Sequence, residues 1–448
     1  MTSLLIAPKA LAATPSGMTW QNCLEEAARN NPQILAARAN QDKAEAQVDS
    51  AKAPFLPQIS ASADAGRNWT GQESGESAAL SASGGRSTSG TGLASERAGM
   101  VGLEDEFPGR NQFSYGLTMR QSIFSGFGDQ ARLEKSRLGI TAAAATLARI
   151  QAQAAYELRA AFIQNLLAGE MLDLLRKVRD RRRENLRLVG LRFQGGRDNK
   201  GSVLRSEAAL AQSEADVNAS ERQVHLVAVQ LERAMGRKPT GDSRAWESPR
   251  LPTVDLTPDF DRLVAESPAV KEAATGIQVS ESAIQVARSK GQPDLSAFAS
   301  ATRSGDWAPS STRLAVGLSL TVPLYTGGSA SADYRSAVAD LSAVRNNFQG
   351  LELQQRLDLE TGWVGFRDAA ERLVVAGKTL SAAVLQATIA QNQYSLGLVS
   401  FQDWDLVEGN LADAGRNLLQ AKRELLLAEA TWWKVRGQTD WRGLLASH

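Results

Sequence analysis

The 448-residue chain is short of groups that do chemistry. It holds two histidines, His225 and His448, one cysteine, Cys23, and six methionines that do not cluster. A metal site built on nitrogen or sulfur needs several such ligands converging on one point, and His225 has no second histidine near it in the chain. One internal histidine also leaves no credible Ser-His-Asp arrangement. A single cysteine forms no intrachain disulfide and no paired-thiol redox site, so Cys23 reads as a small buried apolar residue near a helix start. No Gly-x-x-x-x-Gly-Lys-Ser/Thr loop occurs to cradle phosphates. Gly84-Gly85 lies in a Ser/Gly-rich run with no strand before it. The formal net charge of +1 lacks the basic surplus that nucleic acid calls for. The expectation is a protein with no catalytic residues, no metal, no cofactor and no nucleic-acid partner.

Two patterns remain. Arg176, Arg179, Arg183 and Arg187 recur every three or four residues, which puts them on one face of a helix. Two segments, Phe193-Gln194-Gly195-Gly196-Arg197 and Tyr394-Ser395-Leu396-Gly397-Leu398-Val399, have the composition of helix ends, because glycine accepts the left-handed backbone that stops a helix. Both patterns depend on the helices that carry them.

Those helices are unusually long. No proline occurs between Pro108 and Pro239, and none after Pro323. A proline in a helix interior costs roughly 3 kcal/mol, so long helices must exclude it. A helix is expected over about Gln130–Arg192, on the order of 95 Å at the α-helical rise. A second is expected over about Ala330–Gln393. Returning helices follow each glycine turn, about Ser202–Met235 and Phe401–Arg436. Apolar periodicity of this length argues for a coiled-coil-like assembly.

The chain also repeats itself. At an offset of 201 residues, Tyr115-Gly116-Leu117 meets Val316-Gly317-Leu318, and Phe193 and Gly196 meet Tyr394 and Gly397. Upstream the offset is 236, as where Asn31-Pro32 meets Ser267-Pro268. The difference is an insertion of 35 residues between Ala61 and Tyr115, where Gly66–Gly92 has the Gly/Ser-rich composition of an exposed loop. The implied division is a first repeat over 13–238, a linker over 239–258, a second repeat over 259–437 and a tail over 438–448. Helical hairpins over Trp20–Lys52 and Phe260–Ser289 precede the strands.

Four segments alternate, at about 55–65, 112–124, 293–303 and 313–325. In the clearest, Leu314, Val316, Leu318, Leu320, Val322 and Leu324 point one way and Ala315, Gly317, Ser319 and Thr321 the other. About ten residues suit a tilted membrane-spanning strand with a small, polar face toward a wet lumen. Phe124 and Tyr325 sit at matching strand ends, as residues of an interfacial aromatic girdle do. No uninterrupted run of 18 apolar residues marks a transmembrane helix. Four strands do not close a barrel, and open sheet edges are forbidden in lipid. Several chains must then share one barrel, and three would give twelve strands. The fold class is mainly α with a membrane β-barrel.

Several segments resemble the TolC-like outer-membrane efflux family. They are Thr19-Trp20-Gln21-Asn22-Cys23-Leu24-Glu25-Glu26-Ala27 through Asn31-Pro32, Ala53-Pro54-Phe55-Leu56-Pro57-Gln58-Ile59-Ser60, Gln121-Ser122-Ile123-Phe124-Ser125-Gly126-Phe127, and Tyr394-Ser395-Leu396-Gly397-Leu398-Val399-Ser400 followed by Asp403. The resemblance implies a homotrimer in the outer membrane of a Gram-negative cell, with a twelve-stranded barrel in lipid and an α-helical barrel in the periplasm. It implies a passive duct of a tripartite efflux pump or a type I secretion system, fed by an inner-membrane pump of RND or ABC type through a periplasmic adaptor (membrane fusion) protein. The turns at Gly195, Gly196, Arg197 and at Gly397, Leu398, Val399 would meet that adaptor. Some members carry acidic residues before the second turn, whereas Thr379–Gln402 here has none. The arginine stripe is expected instead to line the entrance and favour anionic cargo. Its competing reading is a solvated face paired with Asp180 and Glu184. Residues 1–12, with Ala10-Leu11-Ala12, read as a truncated secretory signal. The rival function is a secreted or periplasmic coiled-coil structural or adhesive protein.

Overall fold

A computed structural model describes residues 19–69, 109–244, 258–305 and 310–437. The signal segment, most of the Gly/Ser-rich insertion, most of the linker and the whole C-terminal tail, His448 included, lie outside these residues. The chain forms two compact units. One takes in Glu134–Ser282 with the chain up to Val48 and from Ala337 onward; the other is Asp49–Leu133 with Ala283–Ser336.

The first unit is helical. The helices are α1 (Trp20–Asn30), α2 (Pro32–Lys52), α3 (Gly128–Gln194), α4 (Lys200–Met235), α5 (Phe260–Glu266), α6 (Pro268–Ser289), α7 (Ser329–Leu396) and α8 (Phe401–Val435), of which α2, α3, α6 and α7 each have one end in the second unit. The proline-free stretches are thus taken up by α3 and α7, of 67 and 68 residues. These two helices begin 201 residues apart, as do α4 and α8, and the sheet strands after α2 and α6 begin 236 apart. Two structural repeats are therefore present.

The segments expected as hairpins before the strands are each two helices broken at a proline. Pro32 and Pro268 have no N–H to give the preceding helix, and they hold Asn31 and Ser267 in extended backbone. Asn31 turns the break into a joint. Its Oδ1 accepts from Gln33 N–H at 2.9 Å and its Nδ2 donates to the Ala234 carbonyl at 2.9 Å. Around that joint Leu24, Ile34, Leu158, Phe162, Leu231 and Met235 form a buried core with Cys23. Cys23 is fully buried, and burial raises its thiol to about 11, which leaves it inert.

By length and composition α7 is apolar enough to cross a membrane, and most of that apolar stretch is exposed on the single chain. The absence of an unbroken apolar run did not reveal this, because Lys378, Thr379, Ser381, Gln386 and Thr388 are interspersed among Val374, Val375, Val384, Leu385 and Ile389.

The second unit holds an antiparallel sheet in the order β1-β2-β3-β4. The strands are β1 (Gln58–Trp69), β2 (Gly109–Ser125), β3 (Asp294–Gly305) and β4 (Ser311–Thr321). Phe55, expected at the start of the first strand, instead closes a 3-10 turn over Ala53–Phe55. The fourth strand ends at Thr321, so Val322, Leu324 and Tyr325 lie beyond it. Pro323 has no N–H for the ladder and ends the strand.

The pairing settles which side chains share a face. Ile59, Met119, Ala299 and Val316 lie in one row, and Ala61, Leu117, Ala301 and Leu314 in another on the same side. Leu314 is 76% and Val316 87% exposed, so no described residue covers this apolar face. The opposite face carries Ser60 and Thr118, whose hydroxyls meet at 3.0 Å, with Ser300 and Ala315 in the same row. Phe298 is the one large apolar residue there, and its ring lies over Gly317, where a Cβ would come within 2.9 Å of it.

Candidate functional site

The second repeat's glycine turn packs against the end of α3 and the start of α4. Gly196 and Gly397 both take the left-handed conformation, at φ 65° and 80°. At each turn two N–H groups reach back to free helix carbonyls. Gly196 donates to Phe193 and Arg197 to Arg192, at 3.0 and 2.8 Å; Gly397 donates to Tyr394 and Leu398 to Gln393, at 3.0 and 2.9 Å. The returning helices are capped by Asn199, whose Oδ1 accepts from Ser202 N–H at 3.0 Å, and by Ser400, whose Oγ accepts from Asp403 N–H at 3.1 Å. Gly195 has ordinary backbone and continues the last turn of α3, while Leu398 is exposed and Val399 packs at the edge of the core beneath.

Tyr394 locks the two turns together. It is 1% exposed and stacks on Trp404, with ring centroids 4.3 Å apart and planes 10° from parallel. The Arg192 guanidinium lies over its other face at 4.4 Å and donates to the Tyr394 carbonyl. The Tyr394 hydroxyl donates to Asp198 Oδ2, while Asp198 Oδ1 accepts from Asn199 N–H at 2.8 Å. Burial pushes the Asp198 carboxyl up, but these hydrogen bonds, one from Ser202 and the Arg192 charge outweigh it and hold it below the usual range. Burial and the Asp198 charge push the Tyr394 phenol well above its ordinary value, so it stays a donor. Sequence reasoning gave the tyrosine no role beyond its place in the turn. The pair is separated by 196 residues, and no local spacing signals it.

The arginine stripe lies on α3, and every member is paired. Arg176 meets Glu221 at 2.9 Å, Arg179 meets Asp180 at 2.7 Å, Arg183 meets Glu214 at 3.3 Å and Arg187 meets Glu184 at 2.7 Å. Two of these carboxylates come from α4. The stripe's field is therefore compensated where it arises. Deeper pairs join α3 to α8. Glu408, 3% exposed, accepts from Arg181 at 2.5 and 2.6 Å and from Asn185 at 3.2 Å, and Arg182 meets Asp405 at 2.7 Å.

The girdle residues stand in the sheet unit. Phe124 is on β2 and packs edge-on against Phe127 at 5.3 Å. Tyr325 is exposed, beyond the end of β4. Among the described residues no group of three His, Cys, Asp or Glu side chains could hold a metal.

A family model for outer membrane efflux proteins matches residues 23–237 and 260–437. The chain belongs to the outer membrane efflux protein family. Its relative BepC, an outer membrane efflux protein of Brucella suis biovar 1 (strain 1330), is 22% identical over 329 residues, 71% of either chain. The fold is shared with the outer-membrane channel OprN, at a TM-score of 0.76 and 19% identity over 93% of this chain and 89% of that one. It is also shared with the outer membrane protein VceC of Vibrio cholerae, at a TM-score of 0.74 and 16% identity over 94% and 96%. This efflux protein accordingly belongs to a family of the outer membrane, whose members are efflux proteins rather than enzymes.

Proposed function

We propose that three copies of the chain close one twelve-stranded barrel and form a passive duct through outer membrane and periplasm. The observation that carries this reading is the sheet. No described residue covers its apolar face, its other face is mostly polar, and β1 and β4 are its edges among the described strands. Edge N–H and C=O groups in lipid each cost several kcal/mol unless a neighbour pairs them, and a second and third copy supply that pairing. The exposed apolar stretch of α7 calls for the same remedy, with neighbouring copies covering it in a helical barrel. A secreted coiled-coil protein would give no reason for the lipid-suited sheet.

In this reading an inner-membrane pump, of RND or ABC type, supplies the energy. A periplasmic adaptor docks at the turns around Gly196 and Gly397, and Phe124 and Tyr325 anchor the barrel at the membrane interface. The duct serves a tripartite efflux pump or a type I secretion system. Light scattering on the detergent-extracted particle tests the assembly. The expected protein mass is three times that of the chain, and a monomer or dimer soluble without detergent would overturn the reading. Deletion in the host then separates the two systems, by drug accumulation in one case and loss of a secreted polypeptide in the other.

A further inference from the structure

Between the two tip turns lies an open, mostly polar pocket of about 770 Å³. Its lining carries three cations, Arg192, Arg197 and Arg205, against one carboxylate, Asp198. Both oxygens of Asp198 are already engaged, with Tyr394 and with the backbone of Asn199. Arg192 is engaged as well, over the Tyr394 ring. Arg197 and Arg205 differ from the stripe arginines: among the described residues neither has an ion-pair partner. The N-termini of α4 and α8, capped by Asn199 and Ser400, add partial positive charge at the same place. The acid nearest on α8, Asp403, is turned to its cap, where it accepts from Ser400 Oγ at 2.7 Å. Leu396 and Leu398 in the second turn and Leu204 on α4, chain neighbours of the lining residues, are exposed, at 75%, 71% and 54%. Uncompensated arginines beside bare leucines have the composition of a protein contact rather than of a solvated surface.

We propose that this pocket receives an acidic side chain of the periplasmic partner, an aspartate or glutamate held by Arg197 and Arg205, with the leucines seating the apolar residues beside it. The inference rests on the docking role of the tip turns and adds the chemistry of the docked group. It also moves the free positive charge from the α3 stripe, where carboxylates neutralise it, to the tip.

A photo-cross-linking residue in place of Leu398 of the full-length protein in its host tests this. The expected adduct is a periplasmic protein joined within a few residues of an Asp or Glu. The double charge reversal R197E/R205E should lower the adduct yield about tenfold, because contacts between charged groups set both encounter and residence. R197K/R205K should keep most of the yield, and a lysine in place of the mapped acid should restore the yield of the reversed variant. Neither arginine has an ion-pair partner among the described residues, so the reversed variant still assembles, which the mass of the extracted particle verifies. An adduct unaffected by reversal would leave docking at the tip intact and overturn the acidic-residue pocket. So would an unaffected adduct accompanied by altered anion selectivity in bilayer recordings, which would assign the charge to cargo. Absence of any adduct with another protein would overturn docking at the tip itself, and this inference with it.

Discussion

Removing one hydroxyl tests the tip lock. In Tyr394→Phe the ring keeps its stack on Trp404 and its contact with Arg192, so packing is nearly conserved. What goes is the hydrogen bond to Asp198. Water does not replace it, because Tyr394 is 1% exposed and the Asp198 side chain 7% exposed. A hydrogen bond to a charged partner contributes about 1.5–3 kcal/mol. At 1.4 kcal/mol per factor of ten, local opening of the turn becomes roughly ten- to hundredfold more frequent. Hydrogen exchange read by mass spectrometry on the detergent-solubilised protein measures that opening directly. The Gly397 and Leu398 amides, which donate to the Tyr394 and Gln393 carbonyls, should lose protection by that factor, while sheet peptides keep theirs. Unchanged protection at these amides would refute the claim that the Tyr394–Asp198 bond holds the turns together. Tyr394→Ala should exceed Tyr394→Phe, since it also forfeits about 0.5–1.5 kcal/mol of aromatic stacking.

Other expectations follow from the same geometry. Glu232 is buried and its carboxylate accepts from Thr240 N–H, Gly241 N–H and both the N–H and hydroxyl of Ser243. Burial pushes its carboxyl up, but those bonds win and hold it at about 2 against an ordinary 4.5. A depressed folded-state value stabilises fully above pH 4.5, and the stabilisation, about 3 kcal/mol, is lost as pH falls toward 2. Thermal melts from pH 5 to 2.5 should show this slope in the native protein and a flatter one in Glu232→Gln. Val316→Arg places a charge on the uncovered face and should cost about 2–4 kcal/mol near mid-membrane, read as lower yield of assembled barrel in outer-membrane fractions. Arg181→Ala leaves Glu408 buried with only Asn185, and should destabilise the helical unit by about 3–5 kcal/mol in denaturant melts. Gly397→Ala forces a side chain into left-handed backbone at φ 80° and should cost about 1 kcal/mol by the same melts.

Much of this architecture is a local property of the chain. Helix length follows from the absence of proline and the abundance of alanine, leucine and glutamine, because backbone hydrogen bonds within a helix need only nearby residues. The tip turns follow from Gly196 and Gly397, since glycine takes positive φ without the steric cost that a Cβ brings. Alternation from Leu314 to Leu320 names the two faces of β4 without reference to its neighbour, and the duplication is visible as constant offsets. Pro32 and Pro268 also mark the helix breaks, which a coarse reading of Trp20–Lys52 and Phe260–Ser289 merges.

Tertiary structure alone decided which charges are free. The stripe spacing places Arg176, Arg179, Arg183 and Arg187 on one face, but it does not reveal that Glu221 and Glu214 stand opposite on α4. Nor does it reveal that Arg197 and Arg205 have no such partner among the described residues. The same holds for Tyr394 and Asp198, and for Arg181 and Glu408, 196 and 227 residues apart. An ion pair forms where two helices pack, and its energy depends on separation and on the water excluded around it. Both are set by the path of the chain in space, which composition and periodicity do not specify.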